Sequence, residues 1–269
     1  MNILDFIFPK DLYCISCERP LSGREDGIAL CSACEDEIFW VTGRCCEKCG
    51  RPLAEGNRTE FCSDCGSGMR HAYRRGYASV IYAGPVREMV RDMKYRDKAW
   101  HAETLASLMA GRYKRLADPE TGELPYHDYI MPVPMNAKKK AKRGYDQAAL
   151  IARGLSVRIG VPYLGGAIIR VRETKVMSSL TEEERRQNLR GAFAVPCDMI
   201  RMIAGKSIML VDDVYTTGSS TGACAEVLLT AGAESVDVFV FATKADARCT
   251  EDRPAVVESP GQLRAKGPT

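Results

Sequence analysis

The most distinctive pattern of hydrophobic and polar positions along this chain lies at residues 207–221. Residues 208–211 form an unbroken apolar run, which is typical of a strand buried on both faces of a parallel sheet. Asp212 and Asp213 follow where we expect that strand to end, and a turn rich in Thr, Gly and Ser then leads into a helical pattern near Ala223. The pattern predicts a strand, a loop and a helix N-terminus, whose free N–H groups and positive dipole end suit a phosphate.

Predicted strands and helices alternate along the rest of the chain after residue 67, as in an α/β domain with a parallel sheet. We expect a polar loop at 118–125 and, at 182–189, a charged helix or a mobile segment. Few apolar residues follow 245, which predicts a disordered tail at 246–269. The predicted strands are 73–82, 129–134, 167–172 and a closing strand at 235–242, and the predicted helices are 84–95 and 100–116.

A basic stretch follows the predicted strand 129–134. It places five basic residues within six positions of what we predict to be a loop, with Gly144 to turn the backbone. Such a cluster suits a pyrophosphate or a nucleic-acid backbone, whereas the alternative is an ordinary solvated surface. The basic residues are Lys138, Lys139, Lys140, Lys142 and Arg143.

Chain length and net charge exclude few classes of fold or function. The 269 residues suffice for one α/β domain and a smaller module, and 38 Lys and Arg against 35 Asp and Glu leave a net charge of +3. Any basic surface must therefore be local. No apolar run is long enough to span a bilayer, and the first residues carry acids and a proline where a signal peptide needs a basic end. We expect a cytoplasmic location without membrane insertion.

Nine of the 12 cysteines precede residue 66, and eight of those form four C-x-x-C pairs. Four thiolates at this spacing predict closed tetrahedral zinc, and with every ligand a thiolate the two expected zinc ions are structural. Disulfides are the alternative, which the absence of a secretion signal disfavours. Spacing alone also allows a crossed pairing, but we assign one zinc to Cys14, Cys17, Cys31 and Cys34 and the other to Cys46, Cys49, Cys62 and Cys65.

The two cysteine groups form an internal repeat. The sequence Cys-x-x-Cys-x-Arg-Pro-Leu that starts at Cys14 recurs at Cys46. So small a module has too little core to fold unaided, so zinc would supply much of its folding free energy. The other cysteines are interpreted as a spectator (Cys45) and as interior or tail thiols (Cys197, Cys224 and Cys249).

Residues 208–221 resemble the phosphoribosyl diphosphate (PRPP) motif of type I phosphoribosyltransferases, with four apolar residues, two acids, an apolar pair and Thr-Thr-Gly-Ser-Ser. The resemblance implies that Asp212 and Asp213 hold the ribose hydroxyls and stabilise positive charge at C1. The alternatives are an acidic strand end before a helix capped by Ser219 or Ser220, and the magnesium site of an unrelated nucleotide enzyme. The implied phosphate loop consists of Thr216, Thr217, Gly218, Ser219, Ser220 and Thr221.

The wider pattern resembles the ComF family, which joins a double zinc ribbon to a phosphoribosyltransferase-like domain and is known from bacterial competence. The likeness rests on Pro-x-Pro at 132–134, the basic stretch, Arg-Gly-Tyr-Asp-Gln at 143–147 and a third block at 174–193. It covers about residues 1–245 and implies a ribbon module at 1–66 and a transferase-like domain at 67–245. Relatives commonly have Asn in place of Asp146 and Gln in place of Met177, and purine-salvage relatives carry an acid in place of Thr216, which disfavours a purine acceptor.

The resemblance implies a phosphoribosyltransferase that binds PRPP with Mg²⁺ and serves an unidentified acceptor in a process linked to DNA uptake. A loop at 175–186 would close over the site. The second hypothesis is a non-catalytic PRPP sensor or scaffold that contacts single-stranded DNA or a DNA-uptake helicase. His71, His101 and His127 have no neighbours that suggest a catalytic pair, and we interpret them as surface or packing residues. The residues expected to contact pyrophosphate are Lys138, Lys140, Lys142, Arg143 and Gln147.

Overall fold

The computed structural model describes residues 13–21, 28–54, 56–68, 71–118, 120–172, 184 and 188–245. The predicted tail at 246–269, Cys249, Met177 and most of the predicted closing loop at 175–186 lie outside these residues.

A four-stranded parallel sheet forms the centre of the fold. Its strands lie in the order β1 (Gly76–Ile81), β6 (Ser235–Thr243), β5 (Ser207–Tyr215) and β2 (Tyr129–Pro132). The closing strand predicted at 235–242 is confirmed as β6, which lies inside the sheet between β1 and β5. Every residue of β6 after the first is buried, as is typical of a parallel strand whose two faces are both covered.

The helices pack on both faces of this sheet. The predicted helices at 84–95 and 100–116 are confirmed as α3 and α4, and α4 continues into a 3-10 turn at Lys114–Leu116. The described helices are α1 (Ser32–Asp36), α2 (Ser63–Gly66), α3 (Gly84–Tyr95), α4 (His101–Tyr113), α5 (Ala137–Arg143), α6 (Gln147–Ile159), α7 (Ile200–Ile203) and α8 (Ser219–Thr230).

Alternate residues of β5 enter two separate hydrophobic clusters. Met209 and Val211 pack in the cluster that includes α3, α4 and α6, whereas Ile208 and Leu210 pack in the cluster that includes α8. This alternation follows from the two-residue period of a strand. It explains the unbroken apolar run, because both faces of β5 are covered.

A short hairpin replaces the strand predicted at 167–172. Only two residues, β3 (Ile169–Arg170), pair, and they pair antiparallel with β4 (Phe193–Ala194) outside the main sheet. They do not extend the main sheet because the outer edge of β2 is occupied: Ile130 donates to the Pro162 carbonyl at 2.8 Å and accepts from the Leu164 N–H at 2.8 Å.

The two cysteine-rich ribbons share one local fold. Cys14 N–H donates to the Arg19 carbonyl at 2.8 Å, and Cys46 N–H donates to the Arg51 carbonyl at 2.7 Å. The ribbons nevertheless belong to different hydrophobic clusters: Cys14 is in the cluster that includes α4, whereas Cys46 is in the cluster that includes α8. The repeated sequence therefore determines the local fold of each ribbon but not the cluster in which the ribbon packs.

The segment between the ribbons runs antiparallel along β1. Val41 N–H donates to the Ser79 carbonyl at 2.9 Å, and Ile81 N–H donates to the Phe39 carbonyl at 2.8 Å. These bonds satisfy groups of an edge strand that would otherwise be open to another chain.

His101 and His127 are buried and both have polar partners, so the expectation that no neighbour pairs with them is wrong. His101 is buried, and His127 is buried with its Nε2 3.0 Å from Asp237 Oδ2. Burial acts to raise the pKa of Asp237, but hydrogen bonds from His127 and Arg74 outweigh it, so the net pKa is lowered. Asp237 pairs in register with Met209, three residues before Asp212 along β5. No helix in the described part of the chain has both the length and the apolar character needed to cross a bilayer.

Candidate functional site

Strand β5 continues through both carboxylates instead of ending before them. Asp212 pairs with Val240 and Tyr215 with Thr243 of β6, so the ladder extends to Tyr215. The expected strand end at Asp212 is therefore wrong by three residues. A short loop follows, and α8 begins at Ser219.

The N-terminus of α8 is capped by Gly218 and by no side chain. The alternative in which Ser219 or Ser220 caps the helix is therefore wrong. Gly218 has φ 71°, and a Cβ there would lie 2.6 Å from Cζ of Tyr215, so the position requires glycine for both its conformation and its space.

Several donors of this loop have no protein partner. Within the described residues, no acceptor pairs with the N–H groups of Ser219, Ser220 and Thr221. The hydroxyls of Thr217 and Ser219 are 2.8 Å apart, whereas the Thr221 hydroxyl donates to the Gly218 carbonyl at 3.0 Å. These groups line a cavity of about 490 Å³ together with Asp212, Thr216 and Lys244. A helix N-terminus with free donors suits an anion.

The two carboxylates face opposite sides of β5 and differ in partners. Asp213 forms an ion pair with Lys94, whose Nζ lies 3.0 Å from Oδ1 and 2.9 Å from Oδ2. Within the described residues, Asp212 accepts only the Asp213 N–H, at 2.8 Å. Burial, followed by the charge of Asp213, raises the pKa of Asp212 to about 8. Burial acts to lower the pKa of Lys94, but Asp213 outweighs it and the net pKa is raised.

The basic stretch is helix α5, so the prediction of a loop is wrong. Asn136 caps the helix by accepting the N–H groups of Lys138 and Lys139 at 3.0 and 3.3 Å, and Gly144 ends it in the left-handed conformation. The physical reason is that Ala, Lys and Arg favour helices once a cap residue and a terminating glycine are present.

Some of the basic side chains of α5 line a cavity, and the others do not. Lys138, Lys139 and Arg143 line a second cavity of about 500 Å³, whereas Lys140 and Lys142 do not line it, and all four lysines are exposed to solvent. Burial, followed by the charges of Arg143, Arg170 and Lys94, lowers the pKa of Lys139. This cavity also contains Asp212, Asp213 and Ser220, so the acids and the cations share one space. Two of its cations, Lys94 and Arg170, were not predicted, because neither stands in a distinctive motif.

Gln147 is buried, and both polar atoms of its side-chain amide form hydrogen bonds within the protein. Its Nε2 donates to the Met93 carbonyl at 3.1 Å, and its Oε1 accepts from Arg143 Nη1 at 2.9 Å. It therefore orients Arg143. Asp146 caps α6, accepting the N–H groups of Ala149 at 3.2 Å and Met135 at 3.1 Å.

Next to the loop before α8 lies a group of hydrogen-bonded aromatic side chains that the sequence analysis did not predict. Tyr215 places its hydroxyl 2.8 Å from that of Tyr73 and 3.1 Å from Nε2 of His71. Burial and the nearby charge of Lys48 lower the pKa of His71 to about 4. His71 also lines a further cavity of about 950 Å³, on the side of α8 that includes Glu226.

The cysteines form the two groups that were first assigned, so the crossed pairing is wrong. Within each group the four Sγ atoms lie within 4.8 Å of one another. Cys17 and Cys31 Sγ are 3.7 Å apart, and Cys49 and Cys62 Sγ are 3.6 Å apart. Zinc–sulfur bonds of about 2.3 Å in a tetrahedron require sulfurs about 3.8 Å apart, whereas a disulfide needs about 2 Å. Both clusters therefore fit structural zinc.

The remaining described cysteines lie outside these clusters. Cys45 donates to the Gly43 carbonyl at 3.5 Å, and Cys224 is buried beside β5. Cys197 is exposed, so its interpretation as an interior thiol is wrong; it lies in a 3-10 turn on the surface.

Comparisons with known proteins match both parts of the chain. Residues 3–66 match the double zinc ribbon domain, and residues 141–259 match the phosphoribosyl transferase domain. Competence protein F of Haemophilus influenzae is 29% identical over 85% of this chain and 96% of its own length. DNA utilization protein YhgH of Salmonella typhi is 30% identical over 84% of this chain and 94% of its own length. Among solved structures, adenine phosphoribosyl transferase from Trypanosoma brucei aligns with a TM-score of 0.35 at 12% identity, over 87% of this chain and 90% of that chain.

Proposed function

Because the chain belongs to the family of competence protein F (ComF) and DNA utilization protein YhgH, we propose that it binds PRPP and transfers the phosphoribosyl group to an acceptor. The observation that supports this most is the meeting of three groups in one cleft. These are the N-terminus of α8, which no side chain caps, the acidic pair of β5 and the cations of α3, α5 and β3.

The order of these groups matches the order of groups in PRPP. The loop cavity and the cation cavity share Asp212 and Ser220, so one ligand can extend through both. The 5-phosphate would accept from the free N–H groups and hydroxyls at the start of α8. The ribose hydroxyls would donate to Asp212 and Asp213.

The pyrophosphate would then lie beside Lys139, Arg143 and Arg170, with Lys94 between it and the acids. The bond between C1 and the pyrophosphate oxygen breaks, the electron pair leaves with the pyrophosphate, and the acceptor forms the new bond to C1. Cations stabilise the departing charge, and the Asp213 carboxylate, joined by Asp212 when it is deprotonated, stabilises positive charge at C1. Bound Mg²⁺ would add charge neutralisation at the pyrophosphate and ribose oxygens, with water as most of its other ligands.

The first test is calorimetric titration of PRPP with Mg²⁺ into the wild type and the double variant Asp212→Asn/Asp213→Asn. We expect binding in the wild type and none in the double variant. The control is Glu226→Gln, which removes one acid from the other side of α8 and should leave binding unchanged. A folded wild type that fails to bind PRPP would refute the proposal.

A second candidate function is a PRPP sensor or scaffold that contacts single-stranded DNA or a DNA-uptake helicase. One observation favours contact with single strands: Tyr95 is 74% exposed, and the Arg143 guanidinium lies 5.5 Å from its ring centroid, in the same short helix as the exposed Lys140 and Lys142. An exposed ring among cations is what base stacking and phosphate attraction require.

Two double variants separate the candidates. Lys139→Ala/Arg143→Ala removes two cations from the cleft, and Lys140→Ala/Lys142→Ala removes two cations of α5 that do not line the cleft. If the transferase proposal holds, only the first variant weakens PRPP binding. Loss of binding to a fluorescent single-stranded oligonucleotide in the second variant, with PRPP binding intact, would support the second candidate.

A further inference from the structure

We propose that Arg51, in the second zinc ribbon, is a positioning residue for the loop that would hold the 5-phosphate, an inference that rests on the proposed function. No motif in the transferase-like domain contains this arginine. It lies 165 positions before the loop residue that it contacts.

Arg51 forms a buried bridge between the ribbon and the loop. Its Nη2 donates to the Thr216 carbonyl at 2.8 Å, and its Nη1 donates to Asp64 Oδ2 at 2.5 Å. The Arg51 side chain is only 6% exposed. Since Asp64 lies in α2 between the last two cysteines of the second ribbon, both the arginine and its anchor depend on that ribbon's fold.

The contact with the Thr216 carbonyl affects the direction in which the next N–H group, that of Thr217, points. A trans peptide is planar, so its carbonyl and the following N–H point in opposite directions. Holding the Thr216 carbonyl toward Arg51 directs the Thr217 N–H away from the ribbon. The Thr217 hydroxyl, 2.8 Å from that of Ser219, belongs to the same loop.

The role of Arg51 is geometric more than electrostatic. The Asp64 carboxylate offsets the guanidinium charge at hydrogen-bond distance, so little positive field remains for a phosphate on the far side of the loop. The planar guanidinium can bond an acid and a carbonyl at once, whereas a lysine ammonium has no such fixed pair of directions.

The repeat supplies a natural control. Arg19 occupies the same position in the first ribbon, and its carbonyl accepts the same ribbon hydrogen bond. Its side chain is exposed, and the first ribbon packs with α4 in the other hydrophobic cluster. Among the described residues of the two ribbons, those of the second are therefore the ones placed to act on the loop.

The test compares ligands that occupy different halves of the cleft. Ribose 5-phosphate and pyrophosphate, each with Mg²⁺, are titrated into the wild type, Arg51→Ala, Arg51→Lys and Arg19→Ala, and zinc content is measured for each protein. In Arg51→Ala we expect the affinity for ribose 5-phosphate to fall about tenfold, the size of one lost charge-assisted bond, with pyrophosphate binding unchanged. Arg51→Lys should show a smaller loss, and Arg19→Ala none.

The outcomes distinguish this inference from the proposed function. If the wild type binds neither probe nor PRPP, the proposed function fails. If the wild type binds both probes and Arg51→Ala binds them equally well, or loses both to the same extent while folded and zinc-loaded, the positioning role is refuted. Should Arg51→Ala lose zinc, Arg51→Lys decides, and unchanged affinity for ribose 5-phosphate in that variant refutes the role.

Discussion

Replacing Gly50 by alanine tests how tightly the second ribbon is attached to the sheet. Gly50 has φ 70°, and a Cβ there would overlap the Gly76 carbonyl oxygen and lie 2.7 Å from the Tyr77 Cα. Gly160, at the end of α6, has a similar φ of 74° but no atom within 4 Å of the added Cβ. The left-handed conformation costs an alanine about 1 kcal/mol at either position.

The difference between the two variants therefore isolates the overlap. Because the blocking atoms at Gly50 are backbone atoms of β1, they cannot rotate away, and we expect a further cost of about 2 kcal/mol. Gly160→Ala should lower the free energy of unfolding by about 1 kcal/mol and Gly50→Ala by about 3 kcal/mol. Urea unfolding followed by circular dichroism measures both values.

Gly50→Ala also has a functional consequence under the proposals above. Displacement of the ribbon moves Arg51, the next residue, away from the Thr216 carbonyl, so ribose 5-phosphate binding should weaken in Gly50→Ala and remain normal in Gly160→Ala. Equal free energies of unfolding for the two variants would refute the reasoning, because the ribbon could then adapt to the added methyl group without cost.

Two further predictions concern protons and zinc. Because the pKa of Asp212 is raised to about 8 and its ordinary value is near 4, the folded protein keeps a proton that the unfolded chain releases, so this residue lowers stability as pH rises between those values. Asp212→Asn should therefore raise the melting temperature at neutral pH while it abolishes PRPP binding; a lower melting temperature with an unchanged pH profile would contradict this. Metal analysis should find two zinc ions per chain in the wild type and in Cys197→Ser, but one in Cys46→Ser with a lower melting temperature, and retention of both ions in Cys46→Ser would contradict the cluster assignment.

Much of the local structure follows from short stretches of sequence. The C-x-x-C pairs set both zinc clusters, because two thiolates on one tight turn face the same point whatever surrounds them. The apolar run of β5, the acids after it and the start of α8 are likewise local, since each depends on residues within a few positions. The same holds for α3, which has a proline in its first turn, and for α4, since the periodic apolar residues of each helix predict its bounds closely.

The direction of each basic side chain needed the tertiary structure. Once α5 is a helix, Lys139 and Lys140 are about 100° apart around its axis, and only packing against the sheet decides which of them enters the cleft. Composition shows a basic cluster but not this division. The position of β6 within the sheet also could not be predicted from the sequence, because strand order depends on contacts between residues far apart in the chain.

Arg19 and Arg51 show most directly what could not be predicted from the sequence alone. Both stand in the same Cys-x-x-Cys-x-Arg-Pro-Leu repeat and make the same ribbon hydrogen bond, so the sequence determined one local fold for both. The tertiary structure alone decided that Arg19 is exposed and that Arg51 is buried against the Thr216 carbonyl. The physical reason is that zinc and nearby residues determine a ribbon's fold, whereas the surface on which the ribbon packs determines what its side chains contact.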